Sequence, residues 1–540
     1  MQVDFKEDPA LQARYDVARV LFAAKTMTSF NALKHDRLYL EALLPKSHHR
    51  VKIKSGMTIS RHTDQLADEV RRDLMSVILS VLEAKESKTF GFTTDLYSSP
   101  SQYSIIALTV HFADQFSNLW SFCLYSEYFG QHRHTGTNIL FVLENMFKEA
   151  GLDKEDVTRF LIMDNASNNK RAATLGAGEF TTIWCVCHTL QLAVKDAMRV
   201  KIGTVRVRKV VRKCKDVSNL VRRAEARRDE LKEACKEKEV SFIYPVKPGK
   251  TRWNSMEGNI HSCLKLRSPL LHLSFYDRGN TWAVAVPTVL EFDVADAIQK
   301  CLQPLKIATK TWESENKPAI HQVVKQLFNI RTALQDIANS SPHAKMFARN
   351  LLKNVEKRFP KCGTTNKMFA LAHWLDPDCK GIILHEFGVY DQTVDLVKRM
   401  ARKYDPTPVQ GREEIGNTSA TGDESSEPLT GIERLKKKRR VSGDIPDAPP
   451  VASRIEIEVE RYENLPLETC DNPLESWKTN AGSFDLLKKL AADILPIPPS
   501  SSSSERVFSV ATRVSYKCCF LLKPFYSPQY FRRAGRKGSA

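Results

Sequence analysis

The sequence predicts an α/β core that is interrupted by a large all-helical block. Between residues 88 and 200, short apolar runs of strand length alternate with turn residues and with apolar residues at helical spacing. From residue 200 to about residue 400 the strand-like runs disappear, and apolar residues recur at steps of three and four. Gly, Ser, Thr, Pro and acidic residues then mark 404–455 as a disordered linker. One core built from separated parts of the chain is the expected architecture.

Length, charge and cysteine content limit the class of protein. At 540 residues the chain is longer than one hydrophobic core normally supports. Its formal charge of +18 favours a polyanionic partner, and twelve basic residues stand against two acidic ones between Arg199 and Arg228. The twelve cysteines are scattered and none precedes Cys123, which favours reduced thiols in an intracellular protein. We expect neither a transmembrane helix nor a secretion signal.

The region before the core, 1–86, contains one clear helical pattern. Apolar residues recur on one face over Thr63–Lys85, for example at Leu66, Val70 and Leu74. We therefore expect a helical N-terminal region.

The first part of the core, 87–199, is predicted to contain five strands and two helices. The strands are Thr89–Tyr97, Ser104–Phe112, Leu119–Phe129, Thr158–Met163 and Phe180–Val186. The helices are Asn138–Ala150 and His188–Met198. Three hairpin-connected strands, a helix and two further strands resemble the order of a ribonuclease-H-like fold.

The rest of the chain is predicted to be helical wherever it is ordered. In the block 200–403, the clearest helices are Val286–Trp312, Ile320–Asn339 and Pro342–Lys357. After the linker, an amphipathic helix over Phe484–Ile494 ends before a Pro-rich segment, and five serines offer N-caps to a helix near Glu505.

Three acidic residues stand where a carboxylate would be exposed to a metal ion. Asp95 and Asp164 each end an apolar strand-like run, and Glu505 opens a helix. Carboxylates at the ends of neighbouring strands can converge on divalent cations that activate a nucleophile and stabilise a leaving oxygen. The alternative for Glu505 is a helix-start acid that only complements the helix dipole.

Eight short strings in one order resemble the hAT superfamily of DDE transposases and the host proteins derived from them. They are Phe92-Thr-Thr-Asp95-Leu-Tyr97, Tyr103–His111, His134-Thr-Gly-Thr-Asn-Ile139, Asp164-Asn-Ala-Ser-Asn168, Cys185-Val-Cys-His188, Thr251-Arg-Trp253, Leu375-Asp-Pro377 and Ile497–Ser509 with its Ser-Glu-Arg-Val-Phe-Ser ending. The resemblance covers roughly residues 25 to 515. No string is specific alone, but their shared order is.

The resemblance implies a ribonuclease-H-like core interrupted by a helical insertion, with Asp95, Asp164 and Glu505 as a catalytic triad. In the family such a triad binds two divalent ions, Mg²⁺ or Mn²⁺, and cuts and joins double-stranded DNA at transposon ends. Trp253, with Arg252 beside it, would match a tryptophan that stacks on a flipped base. The alternative for Trp253 is a core position.

Further DNA contacts are expected at the start of the helical block. His188, in the family's Cys-x-x-His string, would lie near the metals or the scissile phosphate, whereas Cys185 is equally suited to packing. Lys209, Arg212 and Lys213 lie in the most basic stretch and are candidate phosphate ligands. Cys187 has no expected role.

The resemblance also implies a dimerisation region at 456–515. The apolar residues expected to form half of a subunit interface are Trp477, Phe484, Leu486, Leu487, Leu490 and Ile494. Packing within their own domain is the alternative. The basic cluster Lys436–Arg440 is a candidate nuclear-import signal, so a nuclear homodimer or higher oligomer is expected.

Two departures from the family pattern leave the activity open. The first 122 residues hold no cysteine, so the BED-type zinc finger of many family members is not expected here. The tail 516–540 is atypical and basic. The chain is therefore either an active metal-dependent transposase or an inactive, transposase-derived protein that binds DNA and dimerises as a regulator. An ordinary ribonuclease acting on RNA–DNA hybrids would not need the helical block.

Overall fold

The computed structural model describes residues 56–85, 88–98, 104–130, 133–200, 204–249, 253–277, 279–405, 453–480 and 482–508. Most of the predicted linker with its basic cluster, the predicted DNA contact Arg252 and the atypical tail lie outside the described residues. The described chain is mixed α/β, with one five-stranded sheet and many helices.

The sheet is formed entirely by the first part of the core. Its strands are β1 (Lys88–Ser98), β2 (Ser104–Ala113), β3 (Leu119–Tyr128), β4 (Val157–Met163) and β5 (Thr181–Trp184). They lie in the order β3-β2-β1-β4-β5. The pairs β1–β2 and β2–β3 are antiparallel, whereas β1–β4 and β4–β5 are parallel. The three hairpin-connected strands predicted from the sequence are therefore β1, β2 and β3, and the two later strands join this sheet by the pairing of β4 with β1.

The helices account for most of the remaining chain. They are α1 (Gly56–Ala84), α2 (Gly136–Glu149), α3 (Ser167–Leu175), α4 (Val186–Arg199), α5 (Val205–Arg223), α6 (Glu225–Glu237), α7 (Trp253–Lys265), α8 (Arg267–Tyr276), α9 (Thr281–Ala285), α10 (Val289–Trp312), α11 (Gln322–Ser340), α12 (Lys345–Arg358), α13 (Lys367–Trp374), α14 (Ile382–Glu386), α15 (Tyr390–Ala401), α16 (Arg454–Asn464), α17 (Pro473–Thr479) and α18 (Asp485–Ile494). Residues 502–508 are also helical. Between residues 204 and 405 the described chain contains helices and turns but no strand.

The two faces of the sheet are covered by different parts of the chain. Alternate residues of a strand point to opposite faces, and the even-numbered side chains of β1, such as Phe90 and Phe92, pack with residues of α1 and α2. The even-numbered side chains of β4, such as Ile162, lie on the other face, in the large core that continues through the helices. This second face is the one that carries the candidate site.

Two of the differences from the sequence prediction have a local physical cause. Helix α3 was not expected, because its sequence is polar and only Asn169 and Ala172 are buried, which leaves no apolar periodicity. Strand β5 ends two residues before the predicted Val186, because Cys185 already acts as the N-cap of α4.

The sequence predicts that a set of apolar residues in the C-terminal region forms half of a subunit interface, and for these residues the prediction is wrong. The side chains of this set are all buried within their own chain: Trp477, Phe484, Leu486, Leu487, Leu490 and Ile494. The indole N–H of Trp477 also donates to the carbonyl of Leu375 at 2.8 Å. An amphipathic stripe indicates burial but does not say against which surface, and here it packs on the helical block and the core.

A buried carboxylate joins three parts of the fold. Asp493, in α18, has a fully buried side chain and accepts hydrogen bonds from Lys85 at 2.8 Å and from Thr89 at 2.9 Å. The Tyr404 hydroxyl, at the end of the helical block, donates to the same carboxylate at 2.5 Å. The end of α1, the start of β1 and the end of the helical block are thereby fixed to the C-terminal region.

Among the described residues, no helix has the length and apolar character required to cross a membrane.

Candidate active site

Two of the three candidate acids lie side by side at one end of the sheet. In the parallel ladder of β1 and β4, each residue of β1 faces the residue 69 positions later, from Lys88 opposite Val157 (157 − 88 = 69) onward. The same offset separates Asp95 from Asp164 (164 − 95 = 69), which follow the last paired residues by two positions. Because neighbouring strands run about 4.8 Å apart, the two aspartates are adjacent across the strands.

Hydrogen bonds hold the carboxylate of Asp164 in one orientation. Its Oδ1 accepts from the backbone N–H of Ala166 at 2.9 Å and from the side chain of Asn169 at 2.6 Å. Its Oδ2 lies 3.7 Å from Nδ1 of His188, and a quarter of the side chain is exposed (25%). One oxygen is therefore fixed by the turn into α3, while the other faces the site.

The chain segment that ends in the third acid crosses β1 on the same face. Gly91 permits this approach, because a Cβ at that position would lie 2.9 Å from Cδ of Pro498. Two residues further along β1, the hydroxyl of Thr93 is hydrogen bonded to the hydroxyl of Ser504 at 2.6 Å. Both contacts fall on odd-numbered residues of β1, the face to which Asp95 also belongs.

A ring contact beyond the aspartate completes the path of this segment. Tyr97 stacks on Phe508, with ring centroids 5.5 Å apart and ring planes at 22°. On β1, Asp95 lies between Thr93 and Tyr97. Their contact partners are Ser504 and Phe508, and Glu505 lies between these two in the chain. The helical turn carrying Glu505 is therefore held directly over the strand position of Asp95.

Helix geometry gives the direction in which Glu505 points. Ser503 and Val507 line a cavity of about 500 Å³ together with residues of β3 such as Leu119 and Phe122. Successive residues of a helix are rotated by about 100°, so Glu505 projects from the side opposite to Ser503 and Val507. In the sheet order, the side opposite to β3 is that of β4. Glu505 therefore projects away from β3, on the β4 side of its helical turn.

His188 lies at the start of α4, beside Asp164. Burial lowers the pKa of its imidazole, and the nearby charges of Arg358 and Lys195 act in the same direction, while Asp164 opposes them. A neutral imidazole can donate one hydrogen bond and accept another. His188 therefore lies beside one of the candidate acids, and its expected contact with metal ions or with a scissile phosphate stays a prediction.

Cys185 connects the start of α4 to the serine tract. Its sulfur accepts the backbone N–H of His188 at 3.4 Å and that of Ser501 at 3.4 Å. A hydrogen bond from Cys187 and others from Ser501 lower the pKa of the Cys185 thiol to about 7 despite burial. Cys187 therefore has a role that the sequence did not indicate.

Trp253, the predicted base-stacking residue, lies in the hydrophobic core. It is only 5% exposed, and its backbone N–H donates to the side chain of Gln191 at 2.8 Å. The ring would have to leave the core before it could stack on a base. Its neighbour Arg252 lies outside the described residues.

The three predicted basic contacts on α5 differ in their environment. Lys209 and Lys213 both pair with Glu291, at 2.9 and 2.8 Å. Burial would raise the pKa of Glu291, but hydrogen bonds from Lys213 and Lys209 lower it to about 2. Lys213 also donates to the carbonyl of Val286 at 3.1 Å. Lys209 and Arg212 are both exposed, but within the described residues Arg212 has no ion pair, so its charge is the one of the three that is not already compensated.

The donor set suits a hard divalent cation. Carboxylate oxygens are the ligands that Mg²⁺ and Mn²⁺ prefer, and Asp95, Asp164 and Glu505 supply them from two strand ends and one helix. Asp164 turns one oxygen into the site, as its hydrogen bonds require. The chemistry of these donors therefore fits such an ion, but among the described residues the three carboxylates do not form a group whose ligand atoms all lie within 4.8 Å of one another.

The C-terminal part of the chain matches a known family model. Residues 458–517 match the hAT family C-terminal dimerisation region, close to the predicted region 456–515. The predicted resemblance to the hAT family is thereby confirmed.

Three relatives align over most of this chain. Two are the Zea mays proteins named "Putative AC transposase", 23% identical over 90% of this chain and 60% of the relative, and "Putative AC9 transposase", 22% identical over 90% and 61%. The third is the Homo sapiens protein named "Zinc finger BED domain-containing protein 4", 20% identical over 82% of this chain and 37% of the relative. The chain spans about 60% of the length of the two maize relatives.

Proposed function

We propose that this chain, a hAT-family transposase or a protein derived from one, cuts and joins DNA strands at a site formed by Asp95, Asp164 and Glu505. The observation that carries the proposal is the equal register of the two aspartates on neighbouring parallel strands. The helical turn that contains Glu505 contacts the same strand as Asp95, through Ser504 and Phe508, which supports the third member. The strand order β3-β2-β1-β4-β5, with β1 parallel to β4, supports a ribonuclease-H-like core.

In this proposal the three carboxylates hold Mg²⁺ or Mn²⁺. Such ions would lower the pKa of a bound water and stabilise the leaving oxygen of a phosphodiester. Asn169 and the backbone of Ala166 orient the Asp164 carboxylate, and the Thr93–Ser504 bond positions the turn of Glu505. His188, kept neutral by burial, is positioned to donate a hydrogen bond to a phosphate oxygen.

The DNA partner is proposed from charge. The net charge of +18 and the exposed Arg212 on α5 favour phosphate contacts, which position a duplex without reading its sequence. We propose that the protein acts in the nucleus as a homodimer or higher oligomer through the region that matches the family's dimerisation model. Because the apolar residues of α17 and α18 are buried, the contact surface would use other side chains of this region.

Nicking and joining assays on DNA test the catalytic proposal. The full chain should convert supercoiled plasmid to nicked product in Mg²⁺ or Mn²⁺, and Asp95→Asn and Asp164→Asn should reduce this to the level without metal. Asp153→Asn, an exposed acid near the start of β4, is the matched control and should retain activity. If the wild type and Asp95→Asn behave alike, the catalytic proposal is wrong. Salt-dependent DNA binding in that case would favour a DNA-binding regulator.

A further inference from the structure

A buried cluster of three potential metal ligands lies at the end of α13, in the helical block and apart from the candidate active site. It consists of His373, Asp376 and Cys379, whose ligand atoms all lie within 4.8 Å of one another. His373 is 0% exposed and Asp376 is 1% exposed. His373 lies in the last turn of α13, and Asp376 and Cys379 lie in the turn that follows it, where the backbone N–H of Gly381 donates to the carbonyl of His373 at 3.2 Å.

Several polar atoms of this cluster have no hydrogen-bond partner. Both ring nitrogens of His373 and Oδ2 of Asp376 are buried and unsatisfied. The backbone of His321 approaches the imidazole of His373 but does not form a hydrogen bond of normal geometry. A buried polar atom without a partner destabilises the folded state, and such atoms are rare in folded proteins. Two adjacent residues with this defect indicate that a further partner is missing.

We propose that His373, Asp376 and Cys379 supply three of the four ligands of a zinc ion. An imidazole nitrogen, a carboxylate oxygen and a thiolate sulfur form the mixed donor set that Zn²⁺ prefers, whereas Mg²⁺ would require oxygen ligands alone. The bond lengths of a tetrahedral zinc site correspond to about 3.3–3.8 Å between ligand atoms. A contraction of roughly 1 Å, within the range of small side-chain rotations, is enough to form the site.

The charge of the proposed site suits its burial. One carboxylate and one thiolate neutralise the ion, so the buried group as a whole carries no net charge. The cation Lys325 faces Asp376 and Cys379, and its ammonium group forms an ion pair with Asp378 at the edge of the cluster. The carboxylate of Asp378 therefore compensates the positive charge of Lys325, which would otherwise repel a metal ion.

The C-terminal region attaches to the same turn. The carbonyl of Pro377 accepts from the backbone N–H of Glu468 at 3.0 Å, and the carbonyl of Leu375 accepts from the indole of Trp477 at 2.8 Å. The hydroxyl of Tyr462 donates to the carbonyl of Trp374 at 3.3 Å. An ion held by residues 373, 376 and 379 would fix the turn that receives all three bonds. The proposed role is thus structural, joining the helical block to the C-terminal region.

Spectroscopy with Co²⁺ and a measurement of zinc content test this proposal on the full chain. We expect about one zinc per chain after purification, and a thiolate-to-Co²⁺ charge-transfer absorption when Co²⁺ replaces it. Cys379→Ser should abolish that absorption, and His373→Gln should weaken Co²⁺ binding by more than the roughly 10–100-fold that loss of an outer-shell partner costs. Cys301→Ser, which removes another buried thiol, is the matched control and should keep the absorption unchanged.

Two further results keep the proposal falsifiable if a variant fails to fold. Wild-type protein without bound zinc and without the Co²⁺ absorption would overturn it, whatever the variants do. An absorption that persists in folded Cys379→Ser would also overturn it, because the thiolate would then come from elsewhere. Asp95→Asn should leave the absorption intact, since carboxylates give no such band. Loss of DNA cleavage and loss of this site are therefore distinguishable.

Discussion

The hydroxyls of Thr93 and Ser504, which are 411 residues apart in the chain, are hydrogen bonded at 2.6 Å in the buried face of the sheet. The same Thr93 hydroxyl is 2.6 Å from that of Thr109. This short series of hydroxyls fixes the helical turn that carries Glu505 relative to the strand that carries Asp95. The candidate site therefore depends on contacts made by residues that have no role in the proposed chemistry.

The close approach of β1 and the Pro-rich segment predicts a sensitive position. Gly91→Ala places a Cβ 2.9 Å from Cδ of Pro498 and 3.1 Å from Cα of Ile497, so the segment leading to Glu505 must shift. We expect the free energy of unfolding to fall by about 1–3 kcal/mol. We expect the rate of DNA nicking to fall by a larger fraction than the free energy of unfolding. Urea unfolding and the plasmid assay measure the two effects. Gly178→Ala, where a Cβ meets open space, should change the unfolding free energy by less than about 0.5 kcal/mol. Equal effects of the two substitutions would contradict the prediction.

Acid should destabilise the protein through His111. Burial, and secondarily the charge of Arg506, lower the pKa of this histidine to about 3 in the folded chain. The unfolded chain takes up a proton near pH 6.5, so the contribution of His111 is complete above that pH and declines as the pH falls toward 3. The expected loss is about 1.4 kcal/mol for each pH unit below 6.5. Urea unfolding at pH 7 and pH 5 should show a smaller difference for His111→Gln than for the wild type. An identical pH dependence in both proteins would show that His111 does not titrate in this way.

Removal of the Asp493 carboxylate should weaken the attachment of the C-terminal region. Asp493→Ala leaves Lys85, with 11% of its side chain exposed, without its ion-pair partner. We expect a loss of roughly 3–5 kcal/mol in unfolding free energy. The control is Asp485→Ala on the same helix, which breaks a surface pair with Arg454 and should cost about 0–1 kcal/mol. Chemical denaturation of the full chain compares them, and comparable losses would refute the proposed importance of the buried carboxylate.

Two neighbouring cations on α5 should affect DNA binding differently. Arg212 is exposed, so Arg212→Ala should weaken DNA binding and reduce the slope of log K against log salt by about 1. Lys213 is engaged with Glu291 and with the carbonyl of Val286, so Lys213→Ala should lower stability and leave the slope nearly unchanged. Fluorescence anisotropy on a labelled duplex at several salt concentrations separates the two cases. A reversed order of the slopes would mean that Lys213, not Arg212, meets the phosphates.

The sheet and the positions of two aspartates could be predicted because local signals specify them. The apolar runs before Asp95 and Asp164 are strands in the structure, and the constant offset of the β1–β4 ladder then brings the two acids together. Helix α3 was missed because its sequence has no apolar stripe, although its Asn169 holds the Asp164 carboxylate. In the sequence, Asn169 is only the residue that follows the Asp164–Asn168 string, and nothing there indicates its contact with Asp164.

Other features of the site depend on contacts between distant residues, which local pattern cannot reveal. The serine tract by itself predicts a series of N-caps, yet Ser500 donates to the carbonyl of Trp312 at 3.0 Å and Ser501 donates its N–H to the sulfur of Cys185. The burial of Trp253 was one of two alternatives that its sequence setting could not separate. In each case the partner is far away in sequence, so only tertiary structure identifies it.

The late position of Ser504 and Glu505 has a consequence for synthesis. All five strands have been synthesised once Trp184 has been added, but the segment that covers the Gly91–Thr93 face follows 320 residues later (504 − 184 = 320). At about 5–20 residues per second, translation of that interval takes roughly 16–64 s. For that time the nascent sheet has one face without its final cover, so a chaperone that binds nascent chains would have its longest opportunity there. Assembly of the three acids is then one of the last events in the production of each molecule.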